Sequence, residues 1–174
     1  MTTWPNKPAV LAAAGILAAS GLIAATAPAN AATVRACTNG SLTVSHSSSQ
    51  GAAGHSSFVV LFKNTSASTC TIYGYPGLDA LNASGHVLAH ATRTLNGYMG
   101  GAHAVRTITV RPGHYASATS EWWNFNPVNN GACTFSRSVA TTPANTTRSV
   151  RLAVSVSICR LQIHPTVSGT TGQG

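Results

Sequence analysis

The chain contains only two carboxylate side chains, Asp79 and Glu121, and they set the first limit on its chemistry. Glycan hydrolysis and most general acid–base catalysis by carboxyl groups need a pair of them in one site. Asp79 falls in "GLDAL" and Glu121 in "ATSEWWN", which read as two different strands. Each also has a structural role at hand, Asp79 at a turn and Glu121 paired with an arginine. A Ser-His-Asp hydrolase would have to borrow one of the same two residues to orient its histidine, and no Gly-x-Ser-x-Gly elbow is present. No catalytic residue is assigned.

Seven histidines and four cysteines raise the question of metal. His86 and His90 are four apart, which on a strand puts both on one face about 13 Å apart at ~3.3 Å per residue, too far to hold one ion directly. His103 and His114 reach either of them only through loops. Cys37, Cys70, Cys133 and Cys159 are separated by 33, 63 and 26 residues, with no Cys-x-x-Cys knuckle. In an exported chain an even count reads as two disulfides with three pairings open, which leaves no thiol as a nucleophile. Neither metal nor cofactor is expected.

Aromatic residues are the better candidates for ligand contact. Trp122 and Trp123 are adjacent, so on a strand they point to opposite faces, one into the core and the other outward. Trp123, Tyr98 in a Gly-rich segment and Tyr75 in "YGYPG" are the candidate contacts, because aromatic faces stack on sugar rings and suit protein surfaces. Lysine and arginine are dispersed and not interleaved with aromatic residues on one strand, so sequence-specific nucleic-acid recognition is not expected.

Residues 1–31 have the layout of a secretory signal: Lys7, the uncharged apolar run Ala9 to Ala27, and small residues before a cut between Ala31 and Ala32. No twin arginine precedes the run, which favours the general secretory route, and no membrane span is expected in the mature chain. Without Lys7, nine Lys and Arg face two carboxylates, a formal charge of +7. Such a chain is drawn to anionic envelope polymers through its general field. The 143 residues after the cut are enough for one domain with a single core.

The elements that must position these residues are strands. "SLTVS", "SSFVVLFKN", "STCTIYG", "LDAL", "HVLAH", "TITV", "HYASATSEWWN", "FSRSVAT", "RSVRLAVSVSIC" and "LQIHP" carry period-two patterning between turn signals. In "SSFVVLFKN" both faces are mainly apolar, so it should be central, and "LDAL" and "HVLAH" pair as a hairpin around "NASG". "RSVRLAVSVSIC" has the strictest alternation. Residues 91–106 read as the longest loop, and 168–174 as a disordered tail. The "CTIYGYPGLDAL" stretch reads as a corner in which Gly74 takes a positive φ and Pro76 and Gly77 reverse the chain, with Tyr73 and Tyr75 keeping their hydroxyls at the rim. The pattern implies an all-β, antiparallel Greek-key sandwich, with a closed barrel as the alternative.

Several pieces together carry a resemblance. "AAGHSSFVVLFKNTSASTCTIYGYPGLDALNASG", with its Gly54-His55 pair and its Cys-Thr-x-x-Gly-Tyr-Pro-Gly run from Cys70, then "VRPGHYASATSEWWN" and the cysteine before "LQIHP", resemble the DUF4232 family of secreted actinobacterial proteins. The resemblance implies an exported, immunoglobulin-like β-sandwich with two disulfides over 37–167, after a short lead at 32–36, and supplies no catalytic residue. The family it resembles has no assigned biochemical function, and the near absence of carboxylates favours a non-enzymatic one: a binding or interaction module in or outside the cell envelope, contacting an anionic polymer or an extracellular protein. A wall-polysaccharide hydrolase and an inhibitor presenting the 91–106 loop are the rivals.

Strand order favours Cys37–Cys70 and Cys133–Cys159, sequential pairs that need no threading. By strict alternation Cys159 falls on the face opposite Val150 to Ile158, so a bulge or an outward bridge is required before it. N-terminal sequencing of the exported protein should begin at Ala32; an intact Met1 in a membrane fraction would contradict the signal assignment.

Overall fold

The computed structural model describes residues 1–3 and 33–174. The apolar run of the signal segment and the cut between Ala31 and Ala32 lie outside the described residues. Thr33–Gly174 is one unit. Among the described residues there is no helix, and thirteen strands follow in order: β1 Leu42–His46, β2 Gln50–Ala52, β3 His55–Asn64, β4 Cys70–Tyr73, β5 Gly77–Leu81, β6 Val87–His90, β7 Thr92–Arg93, β8 Thr107–Val110, β9 Tyr115–Trp123, β10 Ser138–Thr142, β11 Val150–Leu152, β12 Gln162–Ile163 and β13 Val167–Ser168.

One sheet runs β1-β3-β9-β12-β7, with β2 added to β3 and β13 to β9; a second runs β11-β10-β5-β6; β4 and β8 form a two-stranded ribbon. The neighbours β3–β9 and β5–β10 are far apart in sequence, the crossovers of a Greek-key sandwich. β3 is central as its two apolar faces imply, paired antiparallel with both β1 and β9. Its register against β9 sets large residues opposite small ones, Phe58 to Ser120, Val60 to Ala118 and Phe62 to Ala116. Those small residues leave room for the second layer, so Leu78, Ala80, Val139 and Leu152 join Phe58, Val60, Phe62 and Trp122 in one buried cluster. Each fully buried side chain of Phe or Val size stabilises by ~1.5–3 kcal/mol.

The β5–β6 hairpin is present as anticipated. At its end the chain changes sheets within two residues: the Ala91 amide donates to Leu78 in one layer and the Thr92 amide to Leu161 in the other, each at close to 2.9 Å. The segment 91–106 therefore starts with a strand, β7, parallel to β12, before it becomes loop. In the corner after β4, Gly74 has φ 96°, the left-handed value that its lack of a Cβ allows. Tyr73 projects into solvent, while Tyr75 is half-buried.

Two expectations fail. "RSVRLAVSVSIC" is laddered only over Val150–Leu152, although Val154 and Val156 remain buried. The register against β10 moves by one residue between Val139↔Leu152 and Phe135↔Ser157. Ser136 fills the break, its hydroxyl accepting from the Val156 amide at 3.0 Å and its carbonyl accepting from the Ser155 hydroxyl at 2.7 Å. This irregularity is the one the position of Cys159 demands, and it brings Cys159 opposite Cys133. Residues 168–174, expected as a disordered tail, are instead held on the outer face of β9. The Gly172 amide donates to the Ser117 hydroxyl, and the Thr119 hydroxyl donates to the Gly172 carbonyl. Small polar composition suggested disorder, but the same smallness lets this backbone lie flat on a hydroxyl-bearing strand.

Both disulfides form in the expected pairs, with Cα–Cα distances of 4.9 Å for Cys37–Cys70 and 5.8 Å for Cys133–Cys159. The first fastens residues 35–37 to β4; the second closes the loop between β9 and β10 onto the chain before β12. Replacing either pair by serine should lower unfolding stability by about 2–4 kcal/mol, read as a shift of the urea midpoint. An unchanged midpoint would contradict a structural role for that bridge.

Candidate functional site

β9 presents Ser117, Thr119 and Glu121 on the face away from the core, yet all three are buried. Residues 168–174 cover the first two, and the loop after β7 covers Glu121. The carboxylate, 3 % exposed, accepts from the Tyr98 amide at 3.0 Å and from the Met99 amide at 2.7 Å. With its amide nitrogen assigned to the side that faces two acceptors, Gln162, opposite Glu121 on β12, donates to Oε1 at 3.2 Å and to the Asn96 carbonyl at 3.0 Å. His164 is fully buried, with Nε2 3.7 Å from Oε2 and Nδ1 3.1 Å from the Thr94 carbonyl. Gly97 closes over this ring; a Cβ there would lie 2.9 Å from His164 Nε2.

Glu121 is thus not paired with an arginine, as its sequence context implied, but with backbone amides and a histidine. Burial works against its ionised form; the nearby His164 ring and the Met99 and Tyr98 amides together outweigh that cost and hold the carboxyl below its ordinary value of 4.5. Asp79 belongs to the other sheet and lies within β5 rather than at a turn. Its Oδ1 is 2.7 Å from His90 Nδ1, directly across the β5–β6 ladder. The two carboxylates therefore sit in different layers with separate partners. Among the described residues no three His, Cys, Asp or Glu side chains converge as a metal site would require.

The loop fastened by Glu121 carries Tyr98, which lies one ring away from Trp123. His55 joins them: its ring stacks on Tyr98 at 4.0 Å with 15° between planes and meets the Trp123 ring at 4.9 Å edge-on. Phe125 extends the row at 5.2 Å from Trp123. The Arg160 guanidinium lies over the Trp123 ring at 5.4 Å, a cation–π contact. Gly54 has φ 83° and sits under the Phe125 ring, which a Cβ would meet at 2.7 Å. The Cys133–Cys159 bridge sets the neighbouring backbone, where the Trp123 amide donates to the Cys159 carbonyl at 2.9 Å.

Of the three aromatic contacts inferred from sequence, the fold brings Tyr98 and Trp123 into one ledge and leaves Tyr75 in the β4–β5 corner. Trp122 is the core member of its pair and Trp123 the half-buried one. His55 and Arg160, which complete the ledge, were missed; the Gly54-His55 pair at the head of β3 was the available signal. Tyr98 is 59 % exposed. With one face against His55, it turns the other to solvent.

The fold and the ledge define a disulfide-stapled, all-β domain with a loop held on a buried carboxylate. The chain belongs to the DUF4232 family, described as a domain of unknown function, whose model matches residues 37–172. That match includes most of the C-terminal segment lying on β9. No curated protein and no solved structure matches the chain.

Glu121→Gln should destabilise the domain by about 1–3 kcal/mol at pH 7, because amides that now face a carboxylate lose a charged acceptor. A carboxyl whose folded pKa is depressed stabilises fully above its unfolded value, near 4.5, and loses that contribution as pH falls through the lower folded value. The stability gap between wild type and variant, from urea unfolding, should therefore be constant from pH 7 to about 5 and close below. A gap that widens on acidification would contradict the geometry.

Proposed function

We propose that the protein is a secreted, non-enzymatic binding module, exported by the general secretory route, whose contact face is the Tyr98 ledge. One observation carries this reading: both carboxylates are committed to separate structural partnerships, so neither has a second acid within its own site. Both disulfides also suit an oxidising compartment.

The outward face of Tyr98 is flat, aromatic and backed by a second ring, a surface suited to stacking against a saccharide ring of an envelope polymer. Because Glu121 holds the Tyr98 and Met99 backbone, little conformational entropy is lost when that face engages a ligand. A second reading, contact with an extracellular protein such as an enzyme to be inhibited, draws support from Leu95, which is 50 % exposed on the same tethered loop.

Co-sedimentation of the oxidised domain with purified wall polysaccharide should show binding that Tyr98→Ala weakens about tenfold, the loss of one stacking contact worth ~1–3 kcal/mol, with the melting temperature unchanged. No reducing ends should be released. Turnover that disappears in Asp79→Asn or Glu121→Gln would establish a hydrolase and refute the reading.

A further inference from the structure

The chain's cationic side chains are dispersed in sequence, but the fold concentrates some of them on a surface separate from the ledge. A cleft of about 480 Å³ opens between the turn joining β8 to β9 and the residues that follow β13. Its lining comprises Thr109, Arg111, His114 and Tyr115 from the β8–β9 segment and the hydroxyl-bearing Ser168 and Thr170 from the C-terminal one. Lys63 is paired in register with Tyr115 and carries its ammonium over that ring at 5.6 Å. A second cleft of about 360 Å³ shares Ser168 and is bordered by His103 and Arg106.

No Asp or Glu side chain lines either cleft, and the second is bordered by the C-terminal carboxylate of Gly174. The ion pairs of the described residues, Asp79 with His90 and Glu121 with His164, use both of the chain's acids elsewhere. Arg111 therefore has no acidic partner. The glycines of the two segments, Gly113 and Gly169, have nothing within 4 Å of where a Cβ would stand, so the cleft mouth is open to a chain-like ligand. An unpaired guanidinium in an open cleft that also carries several hydroxyls is chemistry for a tetrahedral oxyanion: the planar fork takes two oxygens, and hydroxyl donors take the others.

We propose that this cleft binds a phosphodiester group of an extracellular polyol-phosphate polymer, with Arg111 as its principal contact. An open cleft lets the polymer pass through instead of ending inside. The inference rests on the binding-module reading but uses a surface other than the ledge, so the two can fail separately.

The test is calorimetric titration of the oxidised mature domain with poly(glycerol phosphate) at 0.15 M salt. Arg111→Gln should weaken binding about tenfold, a charged hydrogen-bonded contact being worth ~1.5–3 kcal/mol. Arg137→Gln, an equal loss of charge at an exposed site outside both clefts, should change affinity less than twofold. In the ¹⁵N spectrum, added polymer should shift the Thr109, Arg111 and Thr170 amides. Equal losses in Arg111→Gln and Arg137→Gln would mean attraction by net charge alone and would overturn the site. A DNA duplex bound as tightly, with the same dependence on Arg111, would assign the phosphodiester to nucleic acid and overturn the choice of polymer. No binding of the polymer, alongside saccharide binding sensitive to Tyr98, would overturn this inference and leave the binding-module reading in place.

Discussion

A single buried negative charge organises one side of this domain. Glu121 stands on the face of β9 that an ordinary two-layer sandwich would leave to water, and its charge is tolerated there only because loop amides, Gln162 and His164 surround it. The requirement is mutual: the carboxylate needs donors, and the amides of Tyr98 and Met99 need an acceptor. Ordering the loop satisfies both, which is how a Gly-rich segment with weak patterning comes to hold one conformation.

The remainder of the frame supports that arrangement. The long β3–β9 ladder fixes which residues of β9 face inward, and therefore that Glu121 faces out. The same ladder puts His55 directly opposite Trp123, so the ledge follows from the register of the central strands. The Cys133–Cys159 bridge then holds the chain next to Arg160, whose guanidinium covers one side of Trp123. Removing that bridge would disturb ledge and stability together, since bridge and ledge share backbone between Trp123 and Cys159.

What could be read in the sequence was whatever depends on neighbours two residues apart. The alternation in 56–64 and 115–123, the hairpin around "NASG" and the corner at Gly74 are local patterns, and the folded chain keeps them. The disulfide pairs were accessible for a related reason, since each joins consecutive cysteines. The site was only half legible. Tyr98 and Trp123 were visible as aromatic residues near glycines, but their meeting through His55 depends on a crossover between distant strands. The partners of Glu121 were invisible because two are backbone amides, which no residue type announces, and the other two, Gln162 and His164, come from a segment some forty residues away. The ordered C-terminal segment was misread for a similar reason: its backbone, not its side chains, makes most of the bonds.

The central claim is that Glu121 is ionised and structural, holding the loop that displays Tyr98. Carboxyl ¹³C chemical shifts followed through an acid titration test it most directly, with the Tyr98 and Met99 amide shifts recorded in the same samples. The account predicts that the Glu121 carboxyl titrates below 4.5 and that both amides move with it, as the hydrogen bonds weaken on protonation. A Glu121 carboxyl that titrates above 4.5, or one that titrates with no response from either amide, would contradict it.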